Sequence, residues 1–487
     1  MKRYKTVVLI LLIITAGIFI LRTILAFNGY FLEQVSGSWA ALAVDLANGL
    51  FYRPLFLDVS GSGGTRWMPL YFVIHALLIK ATGDVIFSGL MLSLLSSFML
   101  VSALIFLLKY YRFTPVSAVV IITLLLSSSN LLIAMTSVRG DILAAALNIW
   151  GIYFAVTSGK RPRRIVFSCL LFSLTIMTKV TSCFGIAAVI LWLCFNNNRR
   201  RALKAAGLFI LFTSCFLALI IIFSPGRFID VFTFCASGGT TIIKFLKSPF
   251  NFVNCVSSTD PGVIIILTAG LTVMFNKGRD IVRTPYALYM AVTLAVTLFI
   301  FGSEGIVGNH LIDIHTASVL ALAGFAREHE ISDAMIVRCT AVVIILALAI
   351  NSYTLRQVCK RKPLLASMEE TSAVIGGSAA MLSQNPWLPI IMKREVYILD
   401  PYMFRIIDHR NPWLLSSFYG TLDRGGFDCI VFDQDPLSPW IPGWFDYSHF
   451  GRVFLDHVFR HYRFSEEHDG FYIYKPLRES PDIHGGR

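Results

Sequence analysis

The sequence predicts an all-α polytopic membrane protein of about eleven transmembrane helices with a small soluble α/β domain at its C-terminus. Three observations predict it. Hydrophobic residues make up 56% of the 487 and charged residues only 15%, whereas soluble domains carry about 25% charged residues. The apolar residues gather into runs long enough to cross a hydrocarbon core, which takes roughly 20 residues of helix. The stretch 362–487 departs from this composition, being rich in Asp, His, Arg, Trp and Pro. A soluble enzyme, a disordered tail and a coiled coil are thereby excluded. The net charge of +13 sits in short runs between apolar segments. It reads as topogenic charge, not as a nucleic-acid surface. Nine cysteines form no disulfide framework, since Cys169, Cys183, Cys194, Cys215 and Cys339 lie inside apolar runs. Cys235 and Cys255 share one loop, and their positions allow a pair.

Residues 1–26 begin with Lys2, Arg3 and Lys5 and continue as a long apolar run. No small-residue cleavage site follows, so this is the first crossing helix and not a removed leader. Further crossings are predicted over 85–109, 115–136, 142–157, 165–177, 180–195, 205–223, 261–275, 286–301, 311–326 and 335–353. With the N-terminus in the cytoplasm, Lys109 and Arg112, then 160–164, 199–204 and 277–283, all fall inside, as positive charge prefers. Loops 28–66, 138–141, 224–260 and 302–310 then fall outside. This parity needs 67–83 to be an interfacial or re-entrant piece. One basic cluster, Arg356 with 360–362, opposes it. The division is therefore a membrane module over 1–353 and a soluble domain over 362–487, placed outside the cytoplasm. Within that domain, 395–399, 429–432 and 471–474 read as strands.

The loop 28–66 is long and polar for a position directly after a first helix. Apolar groups at Trp39, Leu42, Ala43 and Leu46 have helical spacing, which predicts an amphipathic helix over 38–47 lying on the membrane and ended by Gly49. The loop carries the carboxylates Glu33, Asp45 and Asp58, of which Glu33 lies just past the first helix, at the membrane surface. Its Gly-rich stretch 61–65 ends in Arg66. Backbone N–H groups of such a turn admit an anion and the guanidinium adds a bidentate donor, although the sequence is no Walker loop. Arg139 and Asp141 interrupt two apolar runs; they can pair, or hold a phosphate and a hydroxyl or metal. Lys179 sits in an outer turn where positive charge is disfavoured, so an anion beside it is expected. Asn309, His310 and Asp313 stand at the outer end of another helix, with His310 and Asp313 sharing a face. No His and carboxylate spacing supports a zinc site. All four polar sets fall on one face of the membrane. An acid with several cations there is what transfer from a lipid phosphate requires: a base for the acceptor hydroxyl and cations for the departing phosphate.

Residues 43–54, with Ala43, Gly49, Tyr52 and Pro54, together with Arg66-Trp67-Met68-Pro69-Leu70-Tyr71, resemble the first outer loop of the GT-C glycosyltransferases. Ser137-Val138-Arg139-Gly140-Asp141-Ile142-Leu143 is similar to the stretch of the second outer loop, and Thr178-Lys179 to a Thr-Lys turn of that family. The likeness covers about 5–350 and is strongest to bacterial members similar to the protein mannosyltransferases, the aminoarabinose transferases of lipid A and the Rgt-type transferases. The resemblance implies a GT-C fold in the plasma (inner) membrane with its site facing the periplasm. It implies an inverting transfer from a polyprenyl-phosphate-linked sugar to a glycan, lipid or protein acceptor. It further implies Glu33 as base with Asp45 as second candidate, Arg66, Arg139 and Lys179 at the donor phosphate, and Asp141, Asn309, His310 and Asp313 at or behind the acceptor. A divalent cation (Mg or Mn) is used by some relatives and not by others. Where relatives place their acid, counting back from Ala43, this chain has Val35 and Ser36; Glu33 stands two residues earlier. The alternatives are a transporter or lipid flippase, an oligosaccharide polymerase or ligase, and a non-catalytic lipid-binding descendant of the same fold. The chain lacks the matched halves of a transporter, and it carries its long loop early.

Overall fold

The computed structural model describes residues 2–57, 61–62, 64–159, 161–235, 241–277, 284–303, 306, 308–377, 380–438, 445 and 449–477. Asp58 and Gly63 lie outside the described residues. Helices in chain order are α1 (Lys2–Phe27), α2 (Gln34–Ala47), α3 (Leu70–Thr82), α4 (Val85–Tyr110), α5 (Pro115–Leu126), α6 (Ser129–Met135), α7 (Asp141–Val156), α8 (Pro162–Ile176), α9 (Phe184–Phe195), α10 (Arg199–Phe223) and α11 (Arg227–Cys235). They continue with α12 (Ile242–Thr259), α13 (Pro261–Lys277), α14 (Pro285–Ile300), α15 (Leu311–Glu328), α16 (Asp333–Val358), α17 (Leu364–Ile375), α18 (Trp387–Ile391), α19 (Pro401–Arg410), α20 (Ser416–Asp423) and α21 (Arg452–His461). Strands are β1 (Phe56–Leu57), β2 (Gly61–Ser62), β3 (Met381–Ser383), β4 (Cys429–Phe432), β5 (Tyr462–His468) and β6 (Phe471–Pro476). The chain divides into two compact units, 1–27 with 67–220 and 240–361, and 28–66 with 221–239 and 362–487.

The first unit is helical. α1, α4, α10 and α16 are each long and apolar enough to cross a membrane alone, and the pair α5–α6 makes a fifth stretch, bent by 80°. Helices α3, α7, α9 and α14 are shorter and apolar. The expected single span over 115–136 is thus broken. The backbone groups freed at the break are satisfied: the Ser128 hydroxyl caps α6 and donates to Asp260 Oδ2 at 2.5 Å, and Asn351 Nδ2 donates to the Ser127 carbonyl at 2.8 Å. The piece over 67–83 is the helix α3, packed on α4 with Tyr71, Phe72, His75 and Ala76 buried. The expected loop 224–260 holds α11 and α12. Ile242, Ile243, Leu246 and Phe250 of α12 are exposed at helical spacing, a signal readable in the sequence but overlooked. All described cysteines are free, Cys235 and Cys255 included.

Helix α7 runs through the middle of this unit, buried along most of its length between α4, α8 and α9. Its close approach to α8 depends on Gly151, where a Cβ would come within 2.5 Å of the Phe172 ring.

The second unit carries a four-stranded sheet in the order β3-β4-β6-β5. β3 runs parallel to β4 and the other pairs are antiparallel. The β5–β6 turn is Asp469-Gly470, with φ of 49° and 84°, the two left-handed positions of a tight hairpin. Phe404, Phe418, Phe432, Phe450 and Phe454 form the aromatic core over the sheet. The strand expected over 395–399 is not one: Ile398 makes only an isolated bridge, because Asp400 caps α19 directly afterwards and Pro401 opens that helix.

Helix α2 begins at Gln34, four residues before the expected start, with Glu33 as its N-cap. Its apolar residues Trp39, Leu42 and Ala43 are covered by protein. Residues 36–43 are buried within the second unit against α18. Trp387 Nε1 donates to Ser36 Oγ at 2.8 Å, and Asn385 Nδ2 to the Leu32 carbonyl at 3.1 Å. Gly37 is required by this approach, since a Cβ there would stand 2.9 Å from Trp387. Trp387→Ala is expected to destabilise the second unit by about 3–5 kcal/mol, seen as a lower temperature for proteolytic loss of the tail with the helices of the first unit intact.

Burial holds the His449 imidazole down, to about 3, with the Arg405 charge adding to the effect. The unfolded imidazole takes a proton near 6.5, so the stability His449 contributes is present above that value and lost as pH falls from 6.5 towards 3. Asp433 works in the opposite direction, since burial raises its carboxyl to about 6 and native protonation begins there. His449→Gln is therefore expected to tolerate a drop from pH 7 to pH 5 better than wild type, by about 2 kcal/mol in the tail's unfolding equilibrium.

Candidate functional site

The first unit brings six of the expected residues together. Gly140 precedes α7, which places Asp141 in the first turn, where the helix dipole favours an anion. Lys179, in the turn between α8 and α9, donates from Nζ to Asp141 Oδ1 at 2.7 Å. Arg139 Nε stands 3.6 Å from Asp141 Oδ2. Asn309 Nδ2 donates to Asp141 Oδ1 at 3.3 Å from the 3-10 turn before α15. His310, the residue preceding α15, is close enough for its charge to act on Asp141. Asp313, in the first turn of α15, lies within the fields of both Lys179 and Asp141. Arg139, Asp141 and Asp313 are all buried. Two carboxylates thus sit at the N-termini of two apolar helices, with an ammonium and a guanidinium between the elements that carry them. Such a cluster is costly unless it is paired or used.

Neighbouring groups hold the loops in place. Leu70 N donates to the Met177 carbonyl at 2.8 Å, which ties the start of α3 to the Thr178-Lys179 turn. Ser93 Oγ donates to the Ser137 carbonyl at 2.7 Å and meets the Tyr71 hydroxyl at 3.0 Å, steadying the Arg139 loop. Arg22 of α1 is buried and donates from Nε to Thr136 Oγ1 at 2.9 Å. These supports went unrecognised in the sequence. Arg22 had a signal, a guanidinium inside an apolar run; Tyr71 stood in the stretch 66–71 without a role, and Ser93 had no signal.

Glu33, Asp45 and Arg66 belong to the second unit. Asp45 is not available as a base. Arg53 grips both of its oxygens, Nε to Oδ2 at 2.5 Å and Nη2 to Oδ1 at 2.7 Å, while Nη1 donates to the Val396 carbonyl. The pair ties the end of α2 to the segment before α19. Arg53→Ala is expected to cost about 3–5 kcal/mol, because it leaves a nearly buried carboxylate without its partner, and the tail should become protease-sensitive. Arg66 lies over the Tyr402 ring at 4.9 Å. Asp400 is beside it; burial raises the Asp400 carboxyl, against the pull of Arg66 and of the Met403 and Tyr402 N–H groups. Glu33 is partly exposed with its Oε1 buried.

At Asp141 the Lys179 ammonium holds Oδ1, while the Asp313 and Asn309 Oδ1 atoms are buried and are the oxygens a divalent ion could use there. One metal-capable group occurs among the described residues, Glu370, His468 and Asp469, whose ligand atoms lie within 4.8 Å of each other. Lys362 bridges Glu370 and Asp469 there.

No protein-family model and no curated protein matches the sequence. Solved structures do. ArnT from Cupriavidus metallidurans bound to undecaprenyl phosphate matches with a TM-score of 0.60 at 10% identity, over 96% of this chain and 98% of that one. Archaeal oligosaccharyltransferase AglB from Archaeoglobus fulgidus, in complex with an inhibitory peptide and a dolichol-phosphate, matches with a TM-score of 0.52 at 10% identity, over 98% of this chain and 74% of that one. The likeness is one of fold: the chain is a membrane protein with the GT-C fold.

Proposed function

We propose that this protein is a membrane glycosyltransferase that moves a sugar from a polyprenyl-phosphate donor to a glycan, lipid or protein acceptor at the outer face of the plasma membrane, with inversion. The observation that carries this reading is the Lys179–Asp141–Arg139 cluster at the buried N-terminus of α7, in a chain with the GT-C fold. Asp141 orients the two cations, and Asp313 lies close enough to act on Lys179. A phosphate arriving there meets a fixed ammonium and a guanidinium. In the reaction, an acceptor O–H loses its proton to a carboxylate and its oxygen bonds to the anomeric carbon. The bond from that carbon to the phosphate oxygen breaks, and the departing phosphate takes the electron pair. Lys179 and Arg139 stabilise that growing charge. Glu33 is assigned the proton, Arg66 a contact to the donor phosphate, and Asn309, His310 and Asp313 the acceptor or its supports.

The test offers purified protein a panel of polyprenyl-phosphate monosaccharides with a native membrane extract as acceptor and follows loss of the lipid-linked sugar. Consumption of one donor supports the reading. Binding of donors without consumption of any would instead support a lipid-binding or transport role. Orientation is tested by cysteines introduced at Ser60 and Ser480: an impermeant reagent is expected to label both in intact cells, and labelling of the first alone would place the tail in the cytoplasm.

A further inference from the structure

About 15 Å along α15 from Asp313, at 1.5 Å per residue, the first unit encloses a cavity of about 290 Å³ between α5, α13, α15 and α16. Water has no partners there. The lining is Ile, Leu, Val, Ala, Met and Phe, save for Cys339 and Thr340, and the Thr340 hydroxyl already donates to the Ile336 carbonyl at 2.8 Å. An apolar space of this kind stays dry and takes apolar guests. It is not sealed. Ile265 and Met335 of its wall are 47% and 52% exposed, and Cys339 is exposed. Its mouth therefore opens between α13 and α16 onto the apolar exterior of a membrane unit, where hydrocarbon is the neighbouring phase.

Arg338 stands on the same turn of α16 as Met335 and Cys339, exposed, and makes no ion pair among the described residues. The nearest acid on that helix, Asp333, is taken by the hydroxyls of Thr114 and Ser117. A cation on the turn that carries the wall residues Met335 and Cys339 suits a molecule with an anionic head and a hydrocarbon tail.

We infer that this slot holds one acyl chain of an anionic phospholipid from the bilayer, with its headgroup at Arg338. A tail in the slot supplies the dispersion contacts that its wall otherwise lacks, and the headgroup sets the preference for charge. This inference stands apart from the transferase reading, which concerns residues at the other end of α15.

The experiment uses the full chain. Wild type, Ala269→Phe and Arg338→Gln are purified in mild detergent, exchanged with equimolar phosphatidylglycerol and phosphatidylcholine, and the retained lipid is identified by native mass spectrometry. Wild type is expected to keep one phospholipid, enriched about fivefold in phosphatidylglycerol, the scale of one basic residue at an anionic surface. Ala269→Phe, which fills the slot, is expected to lose retention by about tenfold. Arg338→Gln should keep the lipid and lose the preference. A second readout needs no variant: maleimide labelling of wild-type Cys339, resolved peptide by peptide, should slow when phosphatidylglycerol is added back to delipidated protein. The inference is overturned if the molecule lost with Ala269→Phe is a polyprenyl phosphate, if only detergent is retained, or if Cys339 labels at one rate with and without lipid.

Discussion

Lys179→Met is expected to lower sugar transfer by about 10²–10³-fold, the scale seen when one fixed stabiliser of a developing charge is removed. It is also expected to destabilise the first unit by about 3–5 kcal/mol, because Asp141 stays buried with its main cation gone. The two effects have different origins and can be separated. Asp141→Asn in the same chain removes the stranded carboxylate, so the double variant should regain most of the lost thermal stability in detergent. It should not regain activity, because the cation facing the phosphate is still missing. Equal recovery of both would make the pair a structural strut and nothing more. Arg139, whose Nε is 3.6 Å from Asp141 Oδ2 against 2.7 Å for the Lys179 ammonium and Oδ1, should strand Asp141 less on conversion to Gln, with a comparable loss of turnover.

Glu33→Gln is expected to lower turnover by about 10²-fold or more, the range that loss of a general base reaches. The side chain keeps its shape, and Glu33 caps α2 without a side-chain hydrogen bond to the helix, so the fold of the second unit should be unchanged. KM for the donor should move little, because proton removal from the acceptor is not a binding contact to the lipid phosphate. Turnover retained in full would move the base elsewhere. Asp45 is a poor successor, with both oxygens taken by Arg53.

Much of the helical fold was legible because apolar length is a local property. The stretches read as spans are helical, from α1 to α16, and the runs 429–432 and 471–474 lie in β4 and β6. What failed was set by distant partners. The break at Ser127 and Ser128 is stable because Asp260 reaches it from just past the end of α12 and Asn351 from α16. The early start of α2 and its burial depend on Trp387. β5 escaped notice because its exposed, charged residues hide the alternation. The candidate site followed the same rule. Charges inside apolar runs marked Arg139, Asp141, Lys179 and Asp313 one by one, but no local spacing shows that Lys179 reaches Asp141 across 38 positions. The Asp45–Arg53 pair was the reverse case: the two residues are eight apart in one loop, but Asp45 was read as a candidate base and no partner was sought for it.

The second unit is stitched from three stretches, 28–66, 221–239 and 362–487. Synthesis therefore delivers its first piece long before its last. At about 5–20 residues per second, the roughly 300 intervening residues take about 15–60 seconds to emerge. Over that interval the face of α2 that Trp387 later covers has no native partner, and every membrane segment up to α16 is made meanwhile. A ribosome that stops short of residue 387 leaves this face open for good. Truncated chains should accordingly be marked for degradation by their first loop and not by their missing tail.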